Sequence, residues 1–167
     1  RSAYKLQEID EKFKFFWRNV QSVIDIWCAP WSWLQYTSRK LQKNNNSDSQ
    51  LIWFDLKKVE INLPYTHTFI QDITEQEKVQ NILHNQLWNT QVDVIISDMA
   101  PDTVGNKGTD ALRSCSLIMD TMRMYETLLK KDGKFTIKVF MWPWFDDLVQ
   151  YCRTKRWASS IKIFKPK

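Results

Sequence analysis

The chain has 167 residues, a length that fits one domain with a single hydrophobic core. Its hydrophobic content of 43% is typical of globular proteins and excludes a largely disordered chain. No apolar run approaches the roughly 20 residues of a membrane span, and we expect RSAYKLQEID not to be a signal peptide. Cys28, Cys115 and Cys152 share no CxxC spacing, which disfavours a metal site and favours reduced thiols in an intracellular protein.

The net charge of +5 is concentrated at the two ends of the sequence. Residues 1–45 carry eight Lys or Arg against four acidic residues, and residues 151–167 carry six basic residues and no acid. The basic ends would bind a polyanion such as nucleic acid if they met in the fold; otherwise they are ordinary solvated lysines.

The first half of the chain predicts helices alternating with short strands. Leu6, Ile9, Phe13 and Phe16 recur at helical spacing, so residues 2–16 predict an amphipathic helix. The next predicted elements are a strand over 22–26, a helix over 31–43, and strands over 51–55 and 67–72. The sequence TEQE at 74–77 then predicts a capping box that begins a helix with Val79, Ile82, Leu83 and Leu87 facing inward.

The second half continues the alternation. VDVIIS at 92–97 is the clearest buried strand, and a long helix is predicted over 109–130 through Leu112, Cys115, Met119 and Met122. KFTIKVF at 134–140 alternates as a strand, and SIKIF at 160–164 repeats that pattern. Strands alternating with helices predict an α/β fold with a mostly parallel sheet.

Four aspartates occupy or directly follow the ends of four successive predicted strands: Asp25, Asp55, Asp72 and Asp98. Ligands of parallel sheets bind beyond these carboxyl ends, so the four acids predict a site. DIWCAPWSW at 25–33 has the layout of a nucleotide-cofactor loop, although tryptophan stands where glycine is usual. Asp55 would accept hydrogen bonds from a cofactor ribose, and Asp72 is either an adenine contact or a turn residue before Thr74.

Several motifs in this order resemble one family. They are RSAYKL at 1–6, SDMAP at 97–101, DGKFTIKVF at 132–140 and FDDLV at 145–149. Together they resemble the FtsJ/RrmJ family of ribose 2′-O-methyltransferases over almost the whole chain, as one domain. The resemblance implies S-adenosylmethionine as cofactor and a Rossmann-like methyltransferase fold with helices on both faces of the sheet. It also implies a catalytic group Lys-Asp-Lys-Glu, whose first three members fall on Lys5, Asp98 and Lys138.

The chemistry of methyl transfer gives each of these three residues a role. A ribose hydroxyl is a poor nucleophile at neutral pH, so Lys138 is the candidate base, in a form that has lost its proton. Asp98 would position Lys138 and favour the positively charged methyl donor, and Lys5 would orient the hydroxyl and stabilise its developing negative charge. Without the resemblance, Lys138 would be read as a surface lysine and Lys5 as one end of a pair with Glu8.

The chain departs from the family pattern in two ways. The fourth member, a glutamate on a last strand that inserts into the sheet, is absent, so we expect an abbreviated sequence whose sheet lacks that strand. Tryptophan stands where the family has glycine at Trp27, Trp31, Trp142 and Trp144, with Trp53 a further candidate, whereas Trp33 matches a family tryptophan. Either the cofactor loop takes another path, the cofactor is excluded, or a glycine-bearing parent has been altered.

The leading hypothesis is therefore an S-adenosylmethionine-dependent RNA 2′-O-methyltransferase that acts on ribosomal RNA as a monomer, in a mitochondrial or cytoplasmic setting. The implied cofactor contacts are Asp25, Trp31, Trp33, Asp55, Asp72 and Asp98, and the implied RNA contacts are Arg1, Lys12, Lys162 and Lys165. The alternative is a catalytically inactive RNA-binding ribosome-assembly factor with the same fold. A methyltransferase of small molecules is a third hypothesis, which the basic ends disfavour.

Overall fold

The structure, a computed structural model, describes residues 2–17, 19–26, 32–44, 48–58, 60–98, 107–139, 144–155 and 160–166. Within them, five parallel strands form one sheet in the order β3-β2-β1-β4-β5. The strands are β1 (Ser22–Ile26), β2 (Gln50–Asp55), β3 (Thr66–Ile70), β4 (Val92–Ser97) and β5 (Leu129–Ile137). The helices are α1 (Ser2–Phe13), α2 (Ser32–Lys43), α3 (Gln76–Leu87), α4 (Lys107–Leu128) and α5 (Phe145–Arg153). The predicted α/β fold with a parallel sheet is confirmed.

Helices cover both faces of the sheet because the strand residues alternate between two hydrophobic clusters. Val23, Leu51 and Trp53 pack with α1 and α2 on one face, which we call the α1/α2 face. Ile24 and Ile52 pack with α3, α4 and α5 on the other face. Because each inner strand contributes apolar side chains to both layers, its sequence is a continuous apolar run rather than an alternating one.

The first predicted helix ends three residues early. α1 stops at Phe13, and Lys14 adopts a left-handed backbone conformation with φ 52°. The amide of Phe15 then donates to the carbonyl of Asp10, which closes the end of the helix. Phe16 is buried as predicted, but it reaches the core from the segment after the helix.

The predicted capping box is wrong. α3 begins at Gln76 with Glu75 at its N-cap, and Glu75 makes no side-chain capping bond. The hydroxyl of Thr74 instead donates to Asp72 Oδ1 at 2.7 Å, so the two side chains form a turn ahead of the helix. A local turn competes for the same hydroxyl, which the sequence pattern alone does not reveal.

Two further boundaries differ between α4 and β5. The strand begins at Leu129, which pairs with Val92, so the helix ends at Leu128 rather than continuing to residue 130. β5 spans Leu129–Ile137, so it begins and ends earlier in the chain than the predicted strand over 134–140. Leu112, predicted to face inward, is 72% exposed near the start of α4.

The predicted strand SIKIF is wrong for the residues that the structure describes. Residues 161–166 have no regular structure, and Ile163 is 63% exposed. Phe164 packs edge-on against Phe13, with ring centroids 5.6 Å apart. Ile161 packs instead against the hydrophobic cluster on the side of α3, α4 and α5, so the apolar residues of this segment are accommodated without a strand. None of the helices in the described ranges is long and apolar enough to cross a membrane.

Candidate active site

The residues that follow β4 and β5 form an ion pair. Asp98 is 3% exposed, and its Oδ1 accepts a hydrogen bond from Nζ of Lys138, whose side chain is 29% exposed. Ser97 pairs with Ile137 in the sheet, and the amide of Lys138 donates to the carbonyl of Ser97 at 2.9 Å. The sheet therefore fixes the backbone on both sides of the pair, while the lysine side chain stays partly exposed.

The candidate acids lie on one face of the sheet. Side chains alternate along a strand, so Asp98 shares the α1/α2 face with Ile96, Asp25 shares it with Val23, and Asp55 shares it with Trp53. Lys138 lies on the same face, because Phe135 and Ile137 pack into the opposite cluster. The sheet thus collects these charged side chains under α1 and α2.

Their heights along the strands also agree. Ile26 pairs with Phe54 on one side and with Ser97 on the other, so Asp55 and Asp98 lie at the same level. They are two strands apart, a separation of about 10 Å. Strand order reverses between β1 and β4, and this switch point lies between the two acids.

Asp25 lies at the centre of the sheet and is fully buried. It pairs with Trp53 of β2 and with Ile96 of β4, one residue before the end of β1. The structure therefore places Asp25 within the sheet, one residue before the carboxyl edge, and not in the loop that follows the strand.

Asp55 lines a cavity of about 180 Å³ at the carboxyl ends of β2 and β3. Much of its wall is formed by Trp53, Thr68, Phe69 and Ile70, and it is also lined by Lys57 and Lys58. Oδ1 of Asp55 accepts the amide of Lys57 at 2.9 Å. The cavity combines apolar walls with one carboxylate, the chemistry that suits a nucleoside.

Asp72 follows β3 by two residues and acts as a turn residue. Its Oδ1 accepts hydrogen bonds from the amide of Thr74 at 2.8 Å and from the hydroxyl of Thr74. The role as a turn residue, one of the two alternatives from the sequence, is present in the structure, and the adenine contact stays a prediction.

Lys5 is exposed on α1, and the orientation of this helix places it near the carboxyl edge. α2 connects the end of β1 to the start of β2, so it runs antiparallel to the strands. Asp10 contacts Lys40 of α2, and the carbonyl of Trp17 accepts a hydrogen bond from the side chain of Asn44, so α1 descends alongside α2. The start of α1 is therefore at the level of the strand ends, although no contact among the described residues joins Lys5 to Asp98 or Lys138.

Three tryptophans singled out from the sequence lie in the core, whereas Trp88, at the end of α3, is 88% exposed. Trp53 is a buried strand residue, and Trp144 is buried at the N-cap of α5 with φ −82°, a backbone conformation that any residue adopts. Trp33 is buried in the cluster between α1, α2 and the sheet, and its cofactor contact stays a prediction. Trp27, Trp31, Trp142 and Cys28 lie outside the described residues, as does Arg1.

The two basic ends of the chain meet. Nζ of Lys12 lies 4.5 Å from the ring centroid of Phe164, so the segment that carries Lys162 and Lys165 runs past the end of α1. Lys12, Lys162 and Lys165 are all exposed. The sequence left open whether the two basic ends meet, and this packing brings them together.

A comparison with known protein families decides the assignment. The family model described as FtsJ-like methyltransferase matches residues 1–167. The chain belongs to this family. The resemblance inferred from the sequence motifs is confirmed, and so is the implied methyltransferase fold.

Relatives with curated names agree with the family. The ribosomal RNA large subunit methyltransferase E of Pelagibacter ubique is 40% identical over 167 residues, which cover 100% of this chain and 77% of that protein. The protein of the same name from Nitratidesulfovibrio vulgaris is 36% identical over 169 residues, covering 100% of this chain and 78% of the relative.

Solved structures show the same architecture. A Plasmodium falciparum protein named as a ribosomal RNA methyltransferase superposes with a TM-score of 0.79 at 28% identity, covering 92% of this chain and 85% of that one. The MycE methyltransferase, solved with SAH, superposes with a TM-score of 0.53 at 14% identity, covering 92% of this chain and 40% of the other. At that identity the second likeness bears on the fold alone.

Several residues that support the site were not predicted from the sequence of this FtsJ-like methyltransferase. Asp10 joins α1 to α2, and Lys134 joins β5 to α1. The spacing of Lys134 and Lys138 on an alternating strand could have indicated that both face the same helix layer. No sequence signal indicated the contacts of Asp10. Within the described ranges, no group of three or more His, Cys, Asp or Glu side chains is arranged to hold a metal ion.

Proposed function

We propose that this FtsJ-like methyltransferase transfers a methyl group from S-adenosylmethionine to the 2′-hydroxyl of a ribose in RNA, with ribosomal RNA as its substrate. The ion pair between Asp98 and Lys138 carries the proposal, because it lies at the switch point on the face that α1 covers. The names of the Pelagibacter and Nitratidesulfovibrio relatives support ribosomal RNA as the substrate class.

The residues at the carboxyl edge fit the proposed cofactor. The carboxylate of Asp55 can accept hydrogen bonds from ribose hydroxyls, and the apolar walls beside it suit adenine. Nε1 of Trp53, which lines this cavity, is buried and has no hydrogen-bond partner among the described residues. When bound, S-adenosylmethionine supplies an electrophilic methyl group on a positively charged sulfur. Asp98, which lies about 10 Å from Asp55, would provide a buried negative charge that favours this positively charged sulfur.

The three charged residues divide the remaining chemistry. Once Lys138 has released a proton to solvent, its amine accepts the proton of the 2′-hydroxyl, and Asp98 stabilises the ammonium that results. Lys5 on α1 holds the hydroxyl oxygen and stabilises the negative charge that develops on it. The partial exposure of Lys138 gives the ribose access to the amine, whereas the burial of Asp98 fixes the amine's position.

The RNA backbone fits the basic surface formed by Lys12, Lys162 and Lys165. These exposed side chains lie at the lower end of α1, while Lys5 lies at its upper end. RNA lying along α1 would therefore contact basic side chains on its way to the catalytic pair, with an affinity that falls as the salt concentration rises.

A methylation assay tests the proposed reaction. The chain is incubated with large-subunit ribosomal RNA and S-adenosylmethionine labelled on the methyl group, and the RNA is then hydrolysed in alkali. Because alkaline cleavage requires a free 2′-hydroxyl, we expect the label in alkali-resistant dinucleotides. Label in mononucleotides would indicate base methylation and contradict the proposal. RNA binding without any transfer would favour the alternative, an assembly factor without catalysis.

Calorimetry tests the cofactor site separately from the transfer. Asp55→Asn should weaken S-adenosylmethionine binding about 10-fold or more, because a charged acceptor at the cavity is lost. Asp132→Asn is the matched control, since Asp132 is an exposed carboxylate on β5 and away from the cavity. Equal affinities for the two variants would contradict the placement of the cofactor beside Asp55.

A further inference from the structure

A second lysine of β5 ties the strand to α1. Nζ of Lys134 donates to the carbonyl of Phe13 at 3.0 Å and to the carbonyl of Lys14 at 2.7 Å. The amine also lies 5.0 Å from the ring centroid of Trp17. These carbonyls belong to the last turn of α1 and the residue after it, where a helix leaves acceptors without partners. Lys134 therefore satisfies the end of one element from the middle of another.

Because Lys134 holds the C-terminal end of α1, it also fixes how far the N-terminal end, which carries Lys5, extends along the sheet. Lys138 lies four residues beyond Lys134 on the same face of β5, about 13 Å further along the strand. Lys5 lies eight residues before Phe13 on α1, about 12 Å further along the helix. Because α1 runs antiparallel to the strands, both distances run in the same direction from the Lys134 contact. Lys5 and Lys138 therefore reach the same level.

Leu6 packs α1 into the hydrophobic cluster on the sheet, but apolar contacts are less directional than hydrogen bonds and set the height of the helix less sharply. Asp10 binds Lys40 and Tyr36, so it fixes α1 relative to α2 and not relative to the strand that carries Lys138. Lys130, another lysine of β5, pairs with Asp93 of β4 and does not reach α1. Among the hydrogen bonds of the described residues, those of Lys134 are the ones that join β5 directly to the end of α1.

We propose that Lys134 is a positioning residue that sets the height of α1 along β5 and so holds Lys5 opposite the pair of Asp98 and Lys138. The proposal rests on the proposed function for the role of Lys5. Lys134 itself acts from about 13 Å below Lys138 and does not contact the reacting atoms.

Steady-state kinetics of three variants test this role. Lys134→Met keeps the aliphatic chain and removes the donors, so kcat should fall about 10- to 100-fold while KM for RNA and for S-adenosylmethionine changes less than about 3-fold. Lys134→Arg can still donate to both carbonyls and should recover most of kcat. Lys130→Met is the matched control, because it removes an ion pair from the same strand without touching α1, and its kcat should stay within about 3-fold of the parent. Equal kcat values for Lys134→Met and Lys130→Met would overturn the proposal.

A double-mutant cycle shows whether Lys134 acts through Lys5. If it does, Lys134→Met should cost no further rate in a chain that already carries Lys5→Ala. Additive losses in kcat would contradict the proposal even if each single variant is slow.

Hydrogen exchange separates this inference from the proposed function. Amides of α1 should exchange about 10-fold faster in Lys134→Met than in Lys130→Met, whether or not the chain methylates RNA. Equal exchange in α1 would refute the positioning role alone, whereas an inactive parent chain with faster exchange in Lys134→Met would refute the proposed function and leave the link between β5 and α1 in place.

Discussion

The contacts of Asp10 predict a large loss of stability when its carboxylate is removed. Asp10 is 4% exposed on α1. Its Oδ1 accepts the amide of Phe16 at 2.8 Å, and its Oδ2 accepts the hydroxyl of Tyr36 at 2.8 Å and the amine of Lys40 at 2.7 Å. Burial and the hydrogen bond to Asp10 raise the pKa of Tyr36 well above its ordinary value, so the hydroxyl keeps its proton and remains a donor. Asp10→Ala would leave all three donors without this acceptor.

The expected loss follows from how buried each partner is. The amide of Phe16 would be stranded in the core, at a cost of about 1–3 kcal/mol. Tyr36 is half-buried and Lys40 is a third exposed, so water can replace part of their bonds, and we add about 1 kcal/mol for each. The free energy of unfolding should fall by about 3–5 kcal/mol in total. Asp10→Asn keeps an acceptor for Phe16 and should lose about half as much.

Urea denaturation followed by circular dichroism measures this loss. With a slope of about 2 kcal/mol per molar urea, the midpoint for Asp10→Ala should fall by about 1.5–2.5 M. The control is Asp120→Ala, which removes an exposed pair with Arg123 on α4 and should cost less than about 0.5 kcal/mol. A midpoint for Asp10→Ala within error of the Asp120→Ala midpoint would refute the reasoning from burial and hydrogen bonding.

Three further predictions concern the amino end of the sheet and the basic surface. Burial raises the pKa of Asp93, but hydrogen bonds from Lys130 and two backbone amides outweigh it and leave the pKa below its usual value. The ionised carboxylate of Asp93 therefore stabilises the fold fully above about pH 4, and this contribution is lost as the pH falls through the folded-state pKa. The difference in unfolding free energy between the parent and Asp93→Asn should accordingly narrow in acid titrations. A difference that stays constant down to about pH 2 would contradict this. A methyl group at Gly133 would lie 2.9 Å from the backbone oxygen of Asp93, so Gly133→Ala should cost about 1–3 kcal/mol in thermal unfolding, and an unchanged melting temperature would argue against this packing. Charge reversal at Lys162 and Lys165 should weaken RNA binding and flatten its salt dependence in filter-binding assays, and unchanged slopes would place the RNA elsewhere.

The central strands were predictable because their side chains are buried on both faces. β1 and β4 match their predicted ranges to the residue, since SVIDI and VDVIIS are apolar apart from one Ser and one Asp each. Asp98 and Lys138 were found through the motifs SDMAP and KVF, and the sheet register then explains why they meet. Periodicity alone would have left Lys138 as a surface lysine.

The predictions that failed depended on partners distant in sequence or on a local turn that competes with the predicted one. SIKIF alternates as a strand, but Phe164 packs against Phe13 instead. The capping box predicted at Thr74 does not form, because the hydroxyl of Thr74 donates to Asp72 instead. Apart from its spacing from Lys138, Lys134 carries no sequence mark that distinguishes it from a solvated lysine, because its partners are the backbone carbonyls of a helix more than a hundred residues earlier in the chain.

The catalytic role of Lys138 is the central claim, and single-turnover methyl transfer by Lys138→Met tests it most directly. The matched control is Lys155→Met, which removes a similarly half-buried lysine that pairs with Glu126 away from the sheet edge. The account predicts a loss of transfer of about 1,000-fold or more for Lys138→Met, with RNA affinity within about 3-fold of the parent, and little change for Lys155→Met. A Lys138→Met chain that still transfers methyl groups at the rate of the Lys155→Met control would contradict it.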